Sequence, residues 1–180
     1  MPGPSESRSN VAGMSDLHLA YLSLGSNIQP ETNLVRAIER LGEYGRLEKI
    51  SSAWESQSVG ADGPNYLNAC VLLVTPLART ELKEQALIPI ETGLGRQRSA
   101  DRFAPRTIDI DIVLFDGKSG DDKYWDQAFV VVPLAEIHPE YQNPLTHEKL
   151  MNTATRLRQR VWMETRSEVL GQFNKSRSDS

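Results

Sequence analysis

Residues 105–111, Pro-Arg-Thr-Ile-Asp-Ile-Asp, alternate polar and apolar side chains and therefore predict a β-strand with two chemically different faces. Asp109 and Asp111 share one face of this strand, and the isoleucines around them share the other. Aspartate is uncommon in strands, and two carboxylates roughly 7 Å apart on one face repel each other. A bound divalent cation would offset that repulsion. A half-exposed strand with two solvated acids is the alternative that this pattern alone leaves open.

A loop rich in arginine runs directly into the acidic strand. Residues 94–106 contain four arginines, together with Gly95 and Pro105, which are typical of loops. Guanidinium groups bind phosphate oxygens through a planar fork, and carboxylates are hard ligands that suit Mg²⁺. The loop and the strand together predict a magnesium–nucleotide site for phosphoryl or pyrophosphoryl transfer.

Composition narrows the class of protein. A net charge of -4 and a pI near 5.4 argue against nonspecific nucleic-acid binding, which depends on a basic surface. The single cysteine, Cys70, cannot form an internal disulfide and is expected to be buried in a protein of the reducing cytoplasm. No stretch is long and apolar enough to predict a membrane span.

A chain of 180 residues is long enough for one domain with a substantial core. The sequence predicts a disordered N-terminal tail over 1–17, a single domain over 18–163 and a polar C-terminal tail over 164–180.

The order of the predicted elements indicates the fold class. Within the first two thirds of the domain, the elements are strand, helix, strand, strand, helix, strand. This order predicts an α+β protein with a ferredoxin-like split βαββαβ core, in which helices pack on one face of an antiparallel sheet. Pro89 is expected to break or kink the second helix. The predicted strands are 18–24, 47–54, 66–74, 107–115 and 129–132, and the predicted helices are 30–44, 80–91 and 146–160.

Five motifs, in this order and spacing, resemble the 6-hydroxymethyl-7,8-dihydropterin pyrophosphokinase family over about residues 18–160. They are Leu-Ser-Leu-Gly-Ser-Asn at 22–27, Gly-Pro-Asn-Tyr-Leu-Asn-Ala at 63–69, Glu91 with Leu-Gly-Arg-Gln-Arg at 94–98, Pro-Arg-Thr-Ile-Asp-Ile-Asp at 105–111, and Val-Pro-Leu-Ala-Glu-Ile at 132–137.

The resemblance implies an ATP-dependent pyrophosphokinase of folate biosynthesis that transfers pyrophosphate from ATP to the pterin and releases AMP. It implies that Asp109 and Asp111 bind two Mg²⁺ ions and act in catalysis with Arg96 and Arg106. The residues implied to bind the nucleotide are Glu91, Arg96, Arg98 and Arg106. The residues implied to bind the pterin side are Ser56, Val59, Gly60, Tyr66, Asn68, Phe103 and Phe129.

Residue chemistry agrees with a pterin pocket at these positions. A flat, hydrogen-bonding pterin suits the ring of Tyr66 or Phe129, and the amide of Asn68 offers both a donor and an acceptor. Ordinary core packing is the alternative for the two aromatic rings. For Asn68 that alternative is weaker, because burying an amide without a partner costs about 1–3 kcal/mol.

The chain departs from the family pattern between the acidic strand and the last motif. Residues 116–126 contain no histidine, and Gln127 stands where the family resemblance leads us to expect arginine. We therefore expect weaker ATP binding, unless Lys118 or Lys123 supplies one of the missing charges. The expected partners are small molecules, with neither nucleic acid nor membrane among them.

Two other functions remain open at this point. The missing histidine and arginine are compatible with an inactive relative that binds pterin or nucleotide without catalysis. An unrelated ferredoxin-like binding module, for RNA for example, is disfavoured by the acidic pI and by the lack of an aromatic-rich recognition strand.

Overall fold

The structure is a computed structural model that describes residues 16–58, 60, 62–101 and 104–175. Residues 1–15 of the predicted N-terminal tail lie outside the described residues, as do Val59 and Phe103 from the predicted substrate site. Within the described residues, no helix combines the length and apolar character needed to cross a lipid bilayer.

One antiparallel sheet forms the centre of the molecule. Its seven strands are β1 (His18–Ser26), β2 (Arg46–Ile50), β3 (Trp54–Ser56), β4 (Tyr66–Thr75), β5 (Asp109–Phe115), β6 (Lys118–Ser119) and β7 (Met163–Thr165). The order across the sheet is β6-β5-β1-β4-β3-β7, and β2 pairs with β4 on the same side as β3. This α+β arrangement confirms the predicted ferredoxin-like core.

Helices cover both faces of the sheet. They are α1 (Pro30–Leu41), α2 (Arg79–Glu81), α3 (Ile88–Gly93), α4 (Ala128–Ile137), α5 (Leu150–Arg158) and α6 (Ser167–Lys175), with a π-helical turn at Leu82–Leu87 and a 3₁₀ helix at Asp122–Asp126. Buried side chains from α1, the π-helical turn, α3 and α6 share one core. Those from α4 and α5 share a second core on the opposite face. The two helical stretches of the predicted core, α1 and 79–93, therefore lie on one face as predicted, and α4 and α5 add a helical layer on the other face.

Because side chains alternate along the central strands, each of these strands contributes residues to both cores. On β1 and β4, Leu22 and Val71 face the core beneath α1, whereas Tyr21 and Cys70 face the core beneath α4. Cys70 is fully buried, as expected, and its burial raises the pKa of the thiol. The sheet thus has two apolar sides, which accounts for the nearly continuous burial of β4.

The predicted strand at 129–132 is wrong, because these residues lie within helix α4. Eight of the ten residues of α4 are buried. Because the helix is buried on nearly all sides, its sequence lacks the regularly spaced polar residues that distinguish a helix from a strand. Its three consecutive valines also have a high propensity for strands. Tertiary burial therefore overrides the local signal here.

The predicted strand at 47–54 is divided into β2 and β3 by a local break. Ser51 lies at this break. Its backbone N–H donates to the Cys70 carbonyl at 2.9 Å, and its side-chain Oγ, in place of a backbone carbonyl, accepts from the Cys70 N–H at 2.9 Å. The break turns the chain so that β3 pairs with the first residues of β4, beside the candidate site.

The second helical stretch continues past Pro89, as the predicted helix over 80–91 does, but its α-helical hydrogen bonding is interrupted just before the proline. The stretch continues from Arg79 to Gly93 through the π-helical turn, in which the Ile88 N–H donates to the Lys83 carbonyl. A proline ring collides with the carbonyl four residues earlier in a regular α-helix. The wider turn immediately before Pro89 relieves that collision and lets the chain continue as α3.

The C-terminal region differs most from its prediction. Helix α5 begins at Leu150, four residues later than predicted, because 142–149 form a tight loop closed by a Gln142–Lys149 bridge. Residues expected in a polar tail instead form β7, which pairs with β3, and α6. Val169 and Leu170 of α6 are buried in the core beneath α1, so the packed domain extends well beyond residue 163.

Replacement of Leu170 by alanine tests whether α6 belongs to the core. Leu170 is 1 % exposed, so Leu170→Ala should lower the free energy of unfolding by about 2–4 kcal/mol in urea titrations. Met151→Ala on α5 is the matched control, because Met151 is 46 % exposed and should change stability by less than about 0.5 kcal/mol. Equal effects of the two substitutions would contradict the packing of α6.

Candidate active site

A cleft of about 520 Å³ opens on the α4 side of the sheet, where β1, β4 and β5 meet α4. Its size is within the usual range for a small-molecule pocket. The structure brings together in its walls these residues predicted from the sequence: Ser56, Tyr66, Asn68, Arg96, Arg106, Asp109, Asp111 and Phe129.

The two aspartates occupy the face of β5 that the alternation predicts. Ile110 and Ile112 are buried in the core beneath α1, whereas Asp109 and Asp111 line the cleft. Beside them on β1, Gly25 pairs with Asp109 and Ser23 pairs with Asp111. Small side chains on the neighbouring strand leave space above both carboxylates.

Asp109 is held by two arginines from the predicted loop. Arg96 Nη1 lies 2.7 Å from Asp109 Oδ1, and Arg106 Nη1 lies 2.5 Å from Asp109 Oδ2. All three side chains are between 20% and 30% exposed. The predicted pairing of a carboxylate strand with an arginine loop is therefore present as direct ion pairs.

Glu91 lies beneath this cluster rather than in the wall of the cleft. Its Oε1 accepts from the Ile110 N–H at 2.8 Å and lies 2.5 Å from Arg96 Nη1. Burial raises the pKa of Glu91, while the Ile110 hydrogen bond and the Arg96 charge act in the opposite direction. Glu91 thus fixes β5 and Arg96 to the end of α3, which makes its role in this structure indirect.

Asp111 has a different environment from Asp109. Among the described residues, no basic group forms a salt bridge with it. Its carboxylate remains accessible to water, yet it lies in a concave cleft whose walls partly desolvate it. That desolvation, followed by the charge of Asp109, raises the pKa of Asp111. The site therefore carries one carboxylate that lacks a strong cationic partner.

This donor set fits magnesium bound together with a phosphate ligand. Within the described residues, no group of three or more His, Cys, Asp or Glu side chains forms a protein-only metal cage. Magnesium in nucleotide sites typically uses one or two carboxylates and takes its remaining ligands from water and phosphate. Asp109 and Asp111 provide such a pair, and both residues line the cleft.

Asn68 organises the other end of the cleft. Its Nδ2 donates to the Trp54 carbonyl at 3.1 Å and to Ser56 Oγ at 2.8 Å. Because both donor positions are satisfied by β3, the amide is fixed, and a Cβ added at Gly25 would lie 3.4 Å from Asn68 Oδ1. Gly25 therefore forms the floor of the cleft between the amide and Asp109.

The two aromatic residues border the cleft instead of filling the core. Tyr66 and Phe129 are only half-buried, and both line the open space. Burial raises the pKa of Tyr66, so its hydroxyl remains a neutral hydrogen-bonding group. The structure thus disfavours the ordinary-core alternative for Tyr66, whereas Phe129 both lines the cleft and packs against the core beneath α4.

Besides Glu91, two predicted residues are not in the cleft wall. Arg98 is exposed in the loop, and Gly60 is exposed with a φ of 81°. The binding roles of these residues and of Val59 and Phe103, like those of the other predicted site residues, stay predictions.

Sequence reasoning missed several residues of the cleft. Tyr124 lies buried in the wall, where desolvation and then the charge of Asp111 raise its pKa to about 12. Lys123 was not missed, because the sequence offered Lys118 or Lys123 as a replacement charge; Lys123 lines the cleft, while Lys118 does not. The 3₁₀ helix that carries Lys123 and Tyr124 has no periodicity long enough to recognise in the sequence. Alternation on β1 within the 22–27 motif could have identified the missed Ser23 and Gly25.

The family model of 7,8-dihydro-6-hydroxymethylpterin-pyrophosphokinase (HPPK) matches residues 21–139, more than half of the chain. The chain belongs to the HPPK family. The matched span includes both aspartates, the arginine loop, Asn68 and Phe129.

Curated relatives agree with this assignment. The 2-amino-4-hydroxy-6-hydroxymethyldihydropteridine pyrophosphokinase of Synechocystis sp. is 36% identical over 143 residues, covering 71% of this chain and 70% of that protein. The enzyme of the same name from Bacillus subtilis is 36% identical over 141 residues, covering 72% and 83%. That from Pseudomonas aeruginosa is 38% identical over 137 residues, covering 69% and 83%.

Solved structures support the fold. The crystal structure of Plasmodium falciparum HPPK-DHPS with SDX-DHP has a TM-score of 0.60 and 11% identity, covering 88% of this chain and 46% of that chain. A structure of HPPK-DHPS in complex with substrates has a TM-score of 0.59 and 13% identity, covering 79% and 44%. This chain thus spans less than half of the solved chains that it resembles.

The substitution Gly25→Ala tests the floor of the cleft. The added methyl should protrude between Asn68 and Asp109 and weaken binding of a flat ligand by about tenfold, which corresponds to 1.4 kcal/mol. Gly25 has no positive φ, so the thermal midpoint should stay within a few degrees of wild type. Isothermal titration with the reduced pterin would measure the loss. An unchanged affinity would show that the ligand does not reach this floor.

Proposed function

We propose that this chain transfers the pyrophosphoryl group of ATP to 6-hydroxymethyl-7,8-dihydropterin, producing the pterin diphosphate and AMP in folate biosynthesis. One observation carries the proposal: a carboxylate pair with two arginines and a fixed amide with two aromatic rings line opposite ends of one cleft. Membership of the HPPK family supports the same reaction.

The acidic end suits the phosphates of ATP. Asp109 and Asp111 would hold two Mg²⁺ ions, which would neutralise charge on the phosphate oxygens during transfer. The raised pKa of Asp111 is consistent with a carboxylate that gains stability when a cation arrives. Both carboxylates project from one rigid strand, so the distance between them is fixed before the substrates bind.

Arg96 and Arg106 would bind the phosphates at the same acidic end of the cleft. In the ligand-free arrangement Asp109 holds both guanidinium groups. When this carboxylate serves as a metal ligand, both forks become available for phosphate oxygens. Arg96 stays anchored through Glu91, which limits how far it has to move.

The other end suits the pterin. Asn68 Oδ1 would accept a hydrogen bond from the pterin edge, because Trp54 and Ser56 already satisfy its Nδ2. Tyr66 and Phe129 would contact the ring faces. Transfer then depends on positioning: the pterin hydroxymethyl oxygen attacks the β-phosphorus of ATP in line, and AMP leaves.

Lys123 is the best candidate for the charge that the missing histidine and arginine would have supplied. It lines the cleft, and its charge opposes the rise in the pKa of Asp111. Gln127 lies in the same wall and is uncharged. Lys123 Nζ lies 3.3 Å from Asp121 Oδ2 at an exposed site, a weak pair that leaves the ammonium free to turn toward phosphate.

Catalysis is favoured over the inactive alternative, since the carboxylates and both arginines are assembled in one cleft. We propose small molecules as the only substrates and the cytoplasm as the site of action. The acidic pI continues to disfavour a nucleic-acid partner.

Asparagine substitutions at the two aspartates test the proposed function. Asp109→Asn and Asp111→Asn should each lower the rate of AMP release by about 100-fold or more at saturating MgATP, since each removes a metal ligand. Their effects on stability without metal should differ. Asp109→Asn breaks two ion pairs and should lower the free energy of unfolding by about 1–2 kcal/mol, whereas Asp111→Asn relieves repulsion and should not lower it. A near wild-type rate for either variant would refute the metal assignment.

The two lysines form a matched pair for testing the phosphate contact. Lys123→Ala should weaken MgATP binding by about three- to tenfold, a modest loss because Lys123 is exposed. Lys118→Ala removes the same charge outside the cleft and should change the affinity by less than about twofold. Equal losses would mean that only net charge matters, and fluorescence titration with a labelled ATP analogue would distinguish the two results.

A further inference from the structure

The C-terminal segment β7–α6 packs against the strand that supports the pterin end of the cleft. β7 pairs with β3, with Trp54 opposite Thr165 and Ser56 opposite Met163. This segment lies beyond residues 21–139, the span that the family model matches. Its contacts with β3 therefore connect the site to a part of the chain that the family match does not include.

Arg166, between β7 and α6, joins this segment to three carboxylates. Its guanidinium lies 3.0 Å from Glu55 Oε2, 3.0 Å from Glu31 Oε1 and 2.6 Å from Glu168 Oε1. Its backbone N–H also donates to the Ala53 carbonyl at 2.8 Å. A single exposed ion pair contributes little, but a network that fixes the planar group from three directions gives it a defined position.

Glu55 connects Arg166 to both ends of the loop at 57–64. Glu55 lies on β3, one residue before the last residue ahead of the loop, and its Oε1 accepts from Asn65 Nδ2, which follows the loop, at 3.0 Å. Its Oε2 accepts from Arg166 Nη1. Together Asn65 and Arg166 lower the pKa of Glu55, so the carboxylate stays charged near neutral pH. Gln57 and Ser58 of this loop line the cleft.

The same short strand orients Asn68. The residues on either side of Glu55 hold the amide, Trp54 through its carbonyl and Ser56 through its hydroxyl. A displacement of β3 would therefore shift the loop at 57–64 and the Asn68 amide together. β3 has only three residues, so its position depends strongly on what is attached to it.

We propose that Arg166 is a positioning residue for the pterin: by binding Glu55, it fixes β3, the base of the loop at 57–64 and the amide of Asn68. This inference rests on the proposed function, because it assigns the pterin to that end of the cleft. Arg166 itself does not line the cleft and touches no reacting atom.

Glutamine substitutions at the two ends of the ion pair provide the test. Arg166→Gln and Glu55→Gln should each raise the KM for the pterin and its Kd by about three- to tenfold, with the KM for ATP and kcat unchanged. Glu168→Gln is the matched control, since it removes another Arg166 partner that lies on α6 and not on β3, and it should leave the pterin KM within about twofold. Equal effects of Glu168→Gln and Glu55→Gln would overturn the proposal.

A double-mutant cycle separates positioning from a general loss of stability. The double variant Glu55→Gln/Arg166→Gln should bind the pterin about as weakly as either single variant, because both break one connection. Arg166→Lys should recover part of the affinity through its remaining charge. Additive losses, or a fall in thermal midpoint with an unchanged pterin KM, would show that Arg166 is merely structural.

A measurement without substrates distinguishes failure of this inference from failure of the proposed function. In the ligand-free protein, hydrogen exchange of the β3 amides should be faster in Arg166→Gln than in wild type or in Glu168→Gln. Unchanged exchange would overturn the positioning role even if the enzyme were fully active. If the wild-type protein bound no pterin, the proposed function would fail, and the pterin role of Arg166 would fail with it.

Discussion

A continuous chain of ion pairs, Glu91–Arg96–Asp109–Arg106, holds the site together. It joins the end of α3, the arginine loop and the start of β5. Two carboxylates balance two guanidiniums, so removing one member would leave a partly buried charge without its partner, which is costly. Asp111 adds one more carboxylate close to this set, and because it forms no salt bridge among the described residues it makes the cleft receptive to a cation bound to phosphate.

The two faces of the sheet have different roles: the core on one face supports the strands, and the other face contains the cleft. The core beneath α1 fixes β5 from behind through Ile110 and Ile112, while the opposite face leaves open space between the strands and α4. Because alternation sends every second side chain of β5 to each face, one rigid strand contributes to both. The cleft is thus a gap in the second core, closed at its far end by Asn68 and its partners on β3.

The sequence correctly predicted features that depend on neighbouring residues in the chain. Alternation at 109–112 gave the correct faces of β5, and the arginines at 96 and 106 were correctly placed beside it. The errors arose where tertiary contacts decide: α4 is buried on all sides and therefore resembles a strand, and α6 becomes ordered through Val169 and Leu170 against α1. Tyr124 could not be placed in the cleft from sequence, and Lys123 could be named only as an alternative to Lys118, because a single 3₁₀ turn carries no periodic signal.

The reaction predicted by this arrangement differs from an ordinary kinase reaction in the phosphorus atom that is attacked. The most direct test is mass spectrometry of the pterin product, combined with ³¹P NMR of the nucleotide, after incubation of the protein with MgATP and 6-hydroxymethyl-7,8-dihydropterin. The expected result is a pterin carrying two phosphates and an equal amount of AMP. A pterin carrying one phosphate with ADP, or ATP hydrolysis with unchanged pterin, would contradict pyrophosphoryl transfer in this cleft.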